Sequence, residues 1–362
     1  MGGISRRRLF QAAAAPGLLL AAPRYRRTAI RIEEVRFDFE DYTYRTPMKF
    51  AGILIDRATI LNVRCAVLTG DGRVVQGFGS MKMGNTWSFR SQALSYDDTL
   101  NVMRRLAAKI APITSGCREY GHPIDLNHLL EPEYLKAAEA LTREMRLPEP
   151  IPKLCTLVTA CAFDAAVHDA FGKAHRRSCY QTYGPEFLPH DLAHYLDREF
   201  RGEYPADYLR SQPVERLPLY HLVGGADAIT ASDLRTRVGD GLPETLGEWI
   251  RYNGLTHFKI KMLGNDLDWD VARTLAVHRE VEATHFPPGA PRRCYSVDFN
   301  EMCPNVDYVI EFLNRVRESS AEAFERIQYI EQPTKRDLRA DRANRMHRAA
   351  KIKPVVIDES LT

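Results

Sequence analysis

The chain has 362 residues, of which 44% are hydrophobic and 27% charged, as in an ordinary soluble globular protein with room for two domains. Its formal net charge of +3 is too small to indicate a nucleic-acid-binding surface, and no basic run is interleaved with aromatic residues. We therefore expect no nucleic-acid partner, and composition alone names no function.

The N-terminus has the architecture of an export signal. Three arginines follow Ser5, and a short run of small, apolar residues extends from Ala12 to Ala22. The arginine pair after a serine resembles the twin-arginine type of signal. The apolar run is too short to span a bilayer comfortably, so we expect no membrane insertion once the signal is removed. Residues 1–28 thus predict an exported, periplasmic protein, or a cytoplasmic one if the signal is not functional.

Seven cysteines are present without any Cys-x-x-Cys spacing. This argues against a zinc knuckle or a dense disulfide framework. An exported protein could hold one or two disulfides, but the sequence does not pair them, and we expect most of the thiols to be buried.

The first half of the chain predicts an antiparallel sheet. Residues 30–39 alternate between apolar and polar and predict a half-exposed strand, followed by a loop at residues 45–52. Residues 58–69 and 74–79 are rich in strand formers and flank Asp71-Gly72, which is a hairpin signal.

Helical spacing of apolar residues follows the sheet. It predicts helices at residues 95–111 and 133–145, and most clearly at residues 154–173, where many alanines allow close packing. Residues 185–214 are rich in charge, tyrosine and proline, which favours an insertion or a crossing between domains.

From Leu217 onward, strands and helices alternate. We predict strands at residues 217–223, 258–262, 295–299, 327–330 and 355–357, and helices at residues 246–252, 268–283, 306–317 and 337–350. That order indicates parallel βα units, as five strands of a barrel or of a doubly wound sheet. Gly-x-Gly-x-x-Gly, Gly-x-Ser-x-Gly and His-Glu-x-x-His are all absent, which disfavours dinucleotide binding, serine hydrolysis and zinc proteolysis.

Charged residues stand at the ends of these strands. Lys259 and Lys261 share one face of their strand, because alternate side chains of a strand point the same way, and so do Asp298 and Asn300. The acids at positions 298, 331 and 358 are 33 and 27 residues apart, which fits consecutive βα units. Catalytic groups of parallel barrels lie at these carboxyl-terminal strand ends.

Three carboxylates at one mouth would repel each other without a cation. Their hard oxygen ligands suit Mg²⁺, with Mn²⁺ as the alternative. A lysine beside the cation would have its ammonium form disfavoured and could act as a base, while the metal stabilises the negative charge left on the substrate. Taken singly, Lys-x-Lys also fits a solvated strand edge, and Asp-x-Asn fits a turn or helix cap. Their shared order and spacing favour a site.

These motifs resemble the enolase superfamily, specifically its muconate-lactonising and mandelate-racemase-like members. The resemblance rests on the Ala-rich helix at residues 162–173 and on four strand-end motifs, at residues 259–261, 298–300, 330–333 and 357–360. The Gln of Ile-Glu-Gln-Pro and the Asp-Glu-Ser segment favour the muconate-lactonising branch.

The resemblance implies a role for each motif residue. Mg²⁺ would be bound by Asp298, Glu331 and Asp358, Lys261 would be the general base, and Lys259 would assist it. The supporting or substrate-contacting residues would be Asn300, Glu359, Arg45 and Lys49, the last two in a segment that resembles a capping loop, as do residues 81–87.

The implied fold is an α+β capping domain followed by an α/β barrel of the TIM type, in the modified (β/α)7β form, with about five strands present. The implied organisation is a signal at 1–28, a capping domain at 29–184, an insertion at 185–216 and a partial barrel at 217–362. Only 146 residues follow Arg216, whereas such a barrel takes about 250. We therefore expect a fragment of a longer, homo-oligomeric enzyme whose second acid/base residue lies beyond Thr362.

The implied function is Mg²⁺-dependent removal of the proton α to a carboxylate through an enediolate. The outcome would be racemisation, epimerisation or cycloisomerisation of a small carboxylic acid or amino-acid derivative. A sugar-acid dehydratase of the same superfamily is the alternative. A hypothesis of another class is a non-catalytic, truncated paralogue that acts as a binding or assembly subunit.

Overall fold

The computed structural model describes residues 27–50, 53–284, 286, 289, 291–340, 342 and 345–361. The predicted export signal lies outside the described residues except for Arg27 and Thr28, so it stays a prediction. By their internal contacts the residues form two compact units. The first unit comprises the described residues within Met1–Tyr42 and Ala58–Pro213, and the second unit comprises those within Thr43–Arg57 and Val214–Thr362.

The first sheet has three strands, β1 (Ile30–Phe50), β2 (Ile53–Thr69) and β3 (Val74–Lys82), in that order. β2 and β3 pair antiparallel around a tight turn in which Gly72 has a φ of +85°, a left-handed conformation that glycine adopts without strain. The loop predicted at residues 45–52 is wrong over residues 45–50, which continue β1. β1 is hydrogen-bonded to β2, which begins at Ile53, and this pairing accounts for the longer strand.

Five α-helices follow β3 within the described residues of the first unit. They are α1 (Asn85–Ser88), α2 (Tyr96–Ser115), α3 (Pro123–Glu144), α4 (Lys153–His175) and α5 (Leu192–Tyr195). β3 lies directly against α4: a Cβ added to Gly79 would stand 2.1 Å from the carbonyl oxygen of Ala162, and one added to Gly77 would stand 2.1 Å from that of Ala166. The alanines predicted to allow close packing therefore contact two glycines.

Helix α4 is apolar on all sides. Among the described residues it is the one helix long and apolar enough to cross a membrane by length and composition alone. However, 67% of its most apolar stretch is buried within the protein. A helix that is hydrophobic all round and packed against a sheet is a core helix, and α4 belongs to the core of the first unit.

The second sheet is parallel and has the strand order β4 (Tyr220–Val223), β5 (His257–Lys261), β6 (Cys294–Asp298), β7 (Ile327–Glu331) and β8 (Val355–Val356). The helices between them are α6 (Leu246–Asn253), α7 (Leu267–Ala283), α8 (Val306–Ser319), α9 (Ala321–Arg326) and α10 (His347–Ala350). An antiparallel sheet followed by five parallel strands matches the predicted capping domain and partial α/β barrel. A closed barrel stays a prediction.

The register of the second sheet brings the predicted strand ends level. Lys261 pairs with Asp298, and Asp298 pairs with Glu331, each across neighbouring strands. Glu331 pairs in turn with Val356, the last residue of β8. The carboxyl ends of β5 to β8 therefore meet at one edge of the sheet.

The helix predicted at residues 337–350 is mostly wrong. Within the described part of this segment, the α-helix covers only His347–Ala350. Asp337 accepts hydrogen bonds from the backbone N–H groups of Arg339 at 3.0 Å and Ala340 at 2.9 Å. An aspartate that bonds the backbone just after itself favours a turn over a helix interior, which explains the late start of α10.

All seven cysteines are free thiols. Cys65, Cys155, Cys294 and Cys303 are buried, as most of them were expected to be. Burial raises the pKa of both the Cys65 and the Cys155 thiol to about 12, so these side chains are neutral core residues.

Candidate functional site

Strand β5 presents its two lysines on one face. Phe258 and Ile260 are fully buried on the opposite face, in the apolar core of the second unit. Lys261 is buried as well, and the Lys259 side chain is 22% exposed. The alternation of β5 therefore directs two long cationic side chains away from the core, toward the ends of the neighbouring strands.

The two lysines converge on one carboxylate, that of Asp298. The Lys261 ammonium donates to Asp298 Oδ2 and, at 2.9 Å, to Asn300 Oδ1. The Lys259 ammonium lies 3.0 Å from the same Asp298 oxygen and donates to Glu331 Oε1 at 2.5 Å. Asp298 is fully buried between the two cations. Five residues singled out from the sequence, on three neighbouring strands, thus form one charge-paired cluster.

The backbone after β6 is in an unusual conformation. Asn300 and Glu301 have φ values of +46° and +68°, in the left-handed region that few non-glycine residues adopt. The Asn300 N–H donates to Asp298 Oδ1 at 2.9 Å, which holds this turn against the carboxylate. Strained backbone of this kind persists only where surrounding contacts enforce it, and it concentrates at functional sites.

Asp358 and Glu359 follow β8 and bring two more carboxyl groups near the cluster. Asp358 is half-buried, whereas Glu359 is buried and its Oε2 has no hydrogen-bond partner among the described residues. A buried carboxyl oxygen without a partner is costly, and each such atom in a folded protein calls for an explanation. A cation bound nearby would supply one.

The charges at the strand ends do not balance. Burial raises the pKa of Glu331, and the Asp298 charge raises it further against the opposing effect of Lys259. The pKa of Asp358 is also raised, first by burial. For Glu359, burial and then the charge of Asp358 raise the pKa to about 7. The pKa values of these three carboxyl groups are thus raised first by burial and then by the negative charges of their neighbours.

The pKa of Lys259 also reflects the neighbouring carboxylates. Burial alone would lower its pKa, but Asp298 and Glu331 outweigh burial, and the net pKa is raised. Both partners of the Lys259–Glu331 pair thus have raised pKa values. This is consistent with two ammonium groups facing four carboxyl groups, since such an excess stabilises every bound proton.

The donor set suits a hard divalent cation by its chemistry, because carboxylate oxygens are the ligands that Mg²⁺ prefers. Among the described residues, however, no group of three or more His, Cys, Asp or Glu side chains is arranged to hold a metal ion. The lysine ammonium groups supply the positive charge to Asp298 and Glu331 in this arrangement. A metal held by these acids therefore requires the lysine side chains to move aside.

Arg45, one of the two predicted capping-loop residues, binds elsewhere than this cluster. The Arg45 guanidinium donates to Asp240 through Nε at 2.5 Å and through Nη2 at 2.6 Å, and to the Pro243 carbonyl oxygen at 3.0 Å. Arg45 thus anchors the loop before α6. Lys49 lies near the end of β1, and its side chain is outside what the structure describes.

A second ion pair near the strand ends was not predicted. Glu301, buried directly after Asn300, accepts hydrogen bonds from Nε, Nη2 and the backbone N–H of Arg336, each at 2.8 Å. This pair ties the loop after β7 to the loop after β6. The only sequence signal for this pair is the acid Glu301 directly after the Asp-Phe-Asn motif, because its partner Arg336 lies 35 residues further along the chain.

Asp270 was also missed, and it fixes the loop after β5. Its buried carboxylate accepts from the N–H groups of Leu263 at 2.7 Å and Gly264 at 2.9 Å, and from the Tyr308 hydroxyl at 2.7 Å. The loop that follows Lys261 is therefore held by the first turns of α7 and α8.

Neither protein-family models nor curated proteins match this sequence. Solved structures do match it, and 193 chains are similar. The dipeptide epimerase of Enterococcus faecalis V583, solved with Mg and the dipeptide L-Leu-L-Tyr, aligns with a TM-score of 0.52 and 15% identity over 91% of this chain and 68% of its own. The N-succinyl Arg/Lys racemase of Bacillus cereus ATCC 14579 aligns with a TM-score of 0.52 and 17% identity, over 91% of this chain and 66% of its own.

The muconate lactonizing enzyme of Pseudomonas fluorescens, solved with muconolactone, aligns with a TM-score of 0.50 and 16% identity, over 91% of this chain and 67% of its own. At such low identity the likeness establishes the fold. The chain spans about two thirds of the length of these structures.

Proposed function

We propose that this chain, which has the fold of the enolase superfamily, bears the metal ligands and one base of an enzyme that removes the proton α to a carboxylate. The observation that supports this most strongly is the meeting of two lysines and the acids at positions 298 and 331 at the ends of parallel strands. The sequence motifs that resemble the superfamily are the same residues that form this buried cluster.

Asp298, Glu331 and Asp358 would hold the metal, which we propose to be Mg²⁺. Similar structures were solved with Mg, including the epimerase of Enterococcus faecalis. When bound, the cation would neutralise the excess carboxylate charge and stabilise negative charge that develops on a substrate carboxylate. Asn300 would support the ligand Asp298, because its N–H and its side-chain amide both lie against that carboxylate. Glu359 would be a further supporting residue.

Lys261 is the proposed base. In its neutral form, its Nζ would accept the α-proton and leave the electron pair on the substrate as an enediolate. Asn300 Oδ1, 2.9 Å from Nζ, would orient the amine before the transfer and accept a hydrogen bond from the resulting ammonium. Lys259, bonded to Glu331 and Asp298, would contribute positive charge beside Lys261.

The substrate class we propose is a small carboxylate, and an amino-acid derivative or dipeptide is the first choice. Epimerisation or racemisation is favoured by the two similar structures named for those reactions. Cycloisomerisation, and a sugar-acid dehydratase that eliminates a β-hydroxyl after the same proton transfer, share the first step. Exchange of the α-proton is therefore the reaction to measure.

The experiment is α-proton exchange in D₂O with Mg²⁺, followed by NMR over a panel of dipeptides, N-acylated amino acids and sugar acids. Exchange needs a base on only one face of the substrate, so it tests Lys261 directly. We expect exchange with at least one class and its loss in Lys261→Ala. No exchange with any carboxylate, or an equal rate in Lys261→Ala, would contradict the proposal.

One observation favours a second candidate, a binding or assembly subunit. Large apolar side chains are exposed at both edges of the second sheet, at Leu217 and Leu219 before β4 and at Val356 and Ile357 at β8. Unpaired strand edges with exposed apolar residues favour association. Stoichiometric self-association without α-proton exchange would support this candidate over the enzyme, whereas a homo-oligomer with exchange would fit the enzyme.

We also propose that the protein is exported to the periplasm. If residues 1–28 are an export signal, N-terminal sequencing of the periplasmic protein will find a start between Pro23 and Thr28. An intact N-terminus confined to the cytoplasmic fraction would contradict export and leave the chemistry unaffected.

A further inference from the structure

Gln332 follows the proposed metal ligand Glu331 and is bonded to both neighbouring strand ends. It is buried, with a φ of +32°. Its backbone N–H donates to the carbonyl oxygen of Val356 at 2.9 Å, and its own carbonyl oxygen accepts from the Glu301 N–H at 2.8 Å. The backbone of Gln332 therefore links the turn after β6 to the end of β8.

The Gln332 carboxamide crosses to the segment after β8. Its Oε1 accepts from the backbone N–H groups of Asp358 at 2.9 Å and Ser360 at 3.2 Å. Its Nε2 donates to the carbonyl oxygen of Thr334 at 2.9 Å and to the Ser360 hydroxyl at 2.8 Å. Two accepted and two donated bonds use the whole capacity of an amide side chain. No other residue type of this size supplies both donors and acceptors in one plane.

The sheet itself does not hold Asp358. β8 has two residues, and its pairing with β7 ends at Val356. Asp358 lies two residues beyond the last ladder pair, where its backbone N–H bonds Gln332 Oε1 instead. The Ser360 hydroxyl extends the same link by donating to the carbonyl oxygen of Arg336 at 2.9 Å.

We infer that Gln332 is a positioning residue that sets Asp358 at the correct distance from Glu331. The inference rests on the proposed function, because it matters only if these acids share a ligand. Two consecutive residues then have linked roles: Glu331 is itself a proposed metal ligand, and Gln332 positions Asp358, the ligand that follows the next strand. Such supporting hydrogen bonds change metal affinity by about 10- to 100-fold when removed.

The test uses Gln332→Met, which keeps the length of the side chain and removes all four of its hydrogen bonds. Gln328→Met is the matched control, because Gln328 is an exposed residue of the same strand, β7. Mg²⁺ affinity is measured by calorimetry, and thermal unfolding is measured in EDTA. We expect Gln332→Met to weaken Mg²⁺ binding by about 10- to 100-fold and Gln328→Met to leave it unchanged.

A second control, Val316→Ala, tests whether affinity is lost through general destabilisation. Val316 is fully buried in the apolar core of the second unit, near the end of α8, so we expect this change to lower the unfolding temperature without altering the strand ends or the segment after β8. We expect its Mg²⁺ affinity to stay within about twofold of wild type, well short of the 10- to 100-fold loss expected for Gln332→Met. A loss equal to that of Gln332→Met would mean that stability, not position, sets the affinity.

Should Gln332→Met fail to fold, Ser360→Ala provides the milder variant. It removes the hydroxyl between Gln332 and Arg336 but keeps the bond to the Asp358 N–H, so a smaller loss of affinity is expected. If wild type binds Mg²⁺ and both Gln332→Met and Ser360→Ala bind it equally well, the inference is wrong and the proposed function stands. If wild type binds no Mg²⁺, the proposed function itself fails.

Discussion

The two units differ in what they bury. Among the described residues of the first unit, no Asp, Glu, Lys or Arg residue is buried, and the buried His122 is held neutral because burial lowers its pKa to about 3. The described part of the second unit buries seven charged-type residues, which are Lys261, Asp270, Asp298, Glu301, Arg326, Glu331 and Glu359.

This difference separates a core built for stability from one that also holds a site. Burying a charge costs several kcal/mol, by order of magnitude, and pairing it recovers that cost only with good geometry. Five of the seven residues stand at the carboxyl ends of β5 to β8, where a stability-driven core would place apolar side chains. Clusters of buried titratable groups with shifted pKa values are typical of functional sites, which supports the proposed function.

Among the variants considered, Asp298→Asn is expected to lower the stability of the protein most. The change removes the buried carboxylate that both lysine ammonium groups contact, so we expect a loss of about 3–5 kcal/mol in the free energy of unfolding. Denaturant unfolding at pH 7 measures it. The control is Asp307→Asn, which breaks an exposed 2.6 Å pair with Arg348 and should change stability by less than about 1 kcal/mol. Equal losses in both variants would show that burial of the Asp298 pair has no special weight.

The first unit is probed by adding one methyl group between β3 and α4. Gly79→Ala would bring a Cβ to 2.1 Å from a backbone oxygen, which cannot move aside as a flexible side chain can. We expect a loss of about 1–3 kcal/mol or more, measured by denaturant unfolding. Gly84→Ala is the control, because its nearest contact is 3.6 Å away in the Trp87 ring, and little change is expected. A tolerated Gly79→Ala would contradict the close packing.

A third expected effect is the pH dependence of stability contributed by His122, which is spread over several pH units. Its folded-state pKa of about 3 lies below the unfolded value of about 6.5. The stability is therefore present above pH 6.5 and is lost as the pH falls toward 3, because only the unfolded chain then binds the proton. The slope from this one group is at most about 1.4 kcal/mol per pH unit.

His122→Asn tests that slope. Asparagine can still accept the hydrogen bond that His122 Nδ1 receives from the Ile124 N–H at 3.1 Å at the start of α3, but it does not titrate. Unfolding free energies at pH 7.5, 6.5, 5.5 and 4.5 should fall less steeply in the variant. Parallel curves would show that His122 is not the group responsible.

Features encoded by nearby residues could be predicted from the sequence. The alternation of apolar residues and lysines in β5 predicted both the strand and the shared face of Lys259 and Lys261, and the structure brings these side chains to the same carboxylate. The hairpin at Asp71-Gly72 and the strand–helix order of the second unit were likewise local signals.

Features set by distant contacts could not be predicted. The ion pair of Arg336 with Glu301 joins residues 35 positions apart, and it lies directly before the turn at Asp337 that replaces the expected start of a helix. The binding of Arg45 to Asp240 joins residues 195 positions apart. No local pattern signals a partner at such a distance.

We propose that the acids at the ends of β6, β7 and β8 form a metal site and not only a structural ion-pair network. Calorimetric titration of the whole chain with Mg²⁺ distinguishes these two roles, with Asp358→Asn and the surface variant Asp307→Asn measured alongside. We expect saturable binding at a single site in wild type and in Asp307→Asn, and its loss in Asp358→Asn. No saturable binding in wild type, or equal binding in Asp358→Asn, would contradict it.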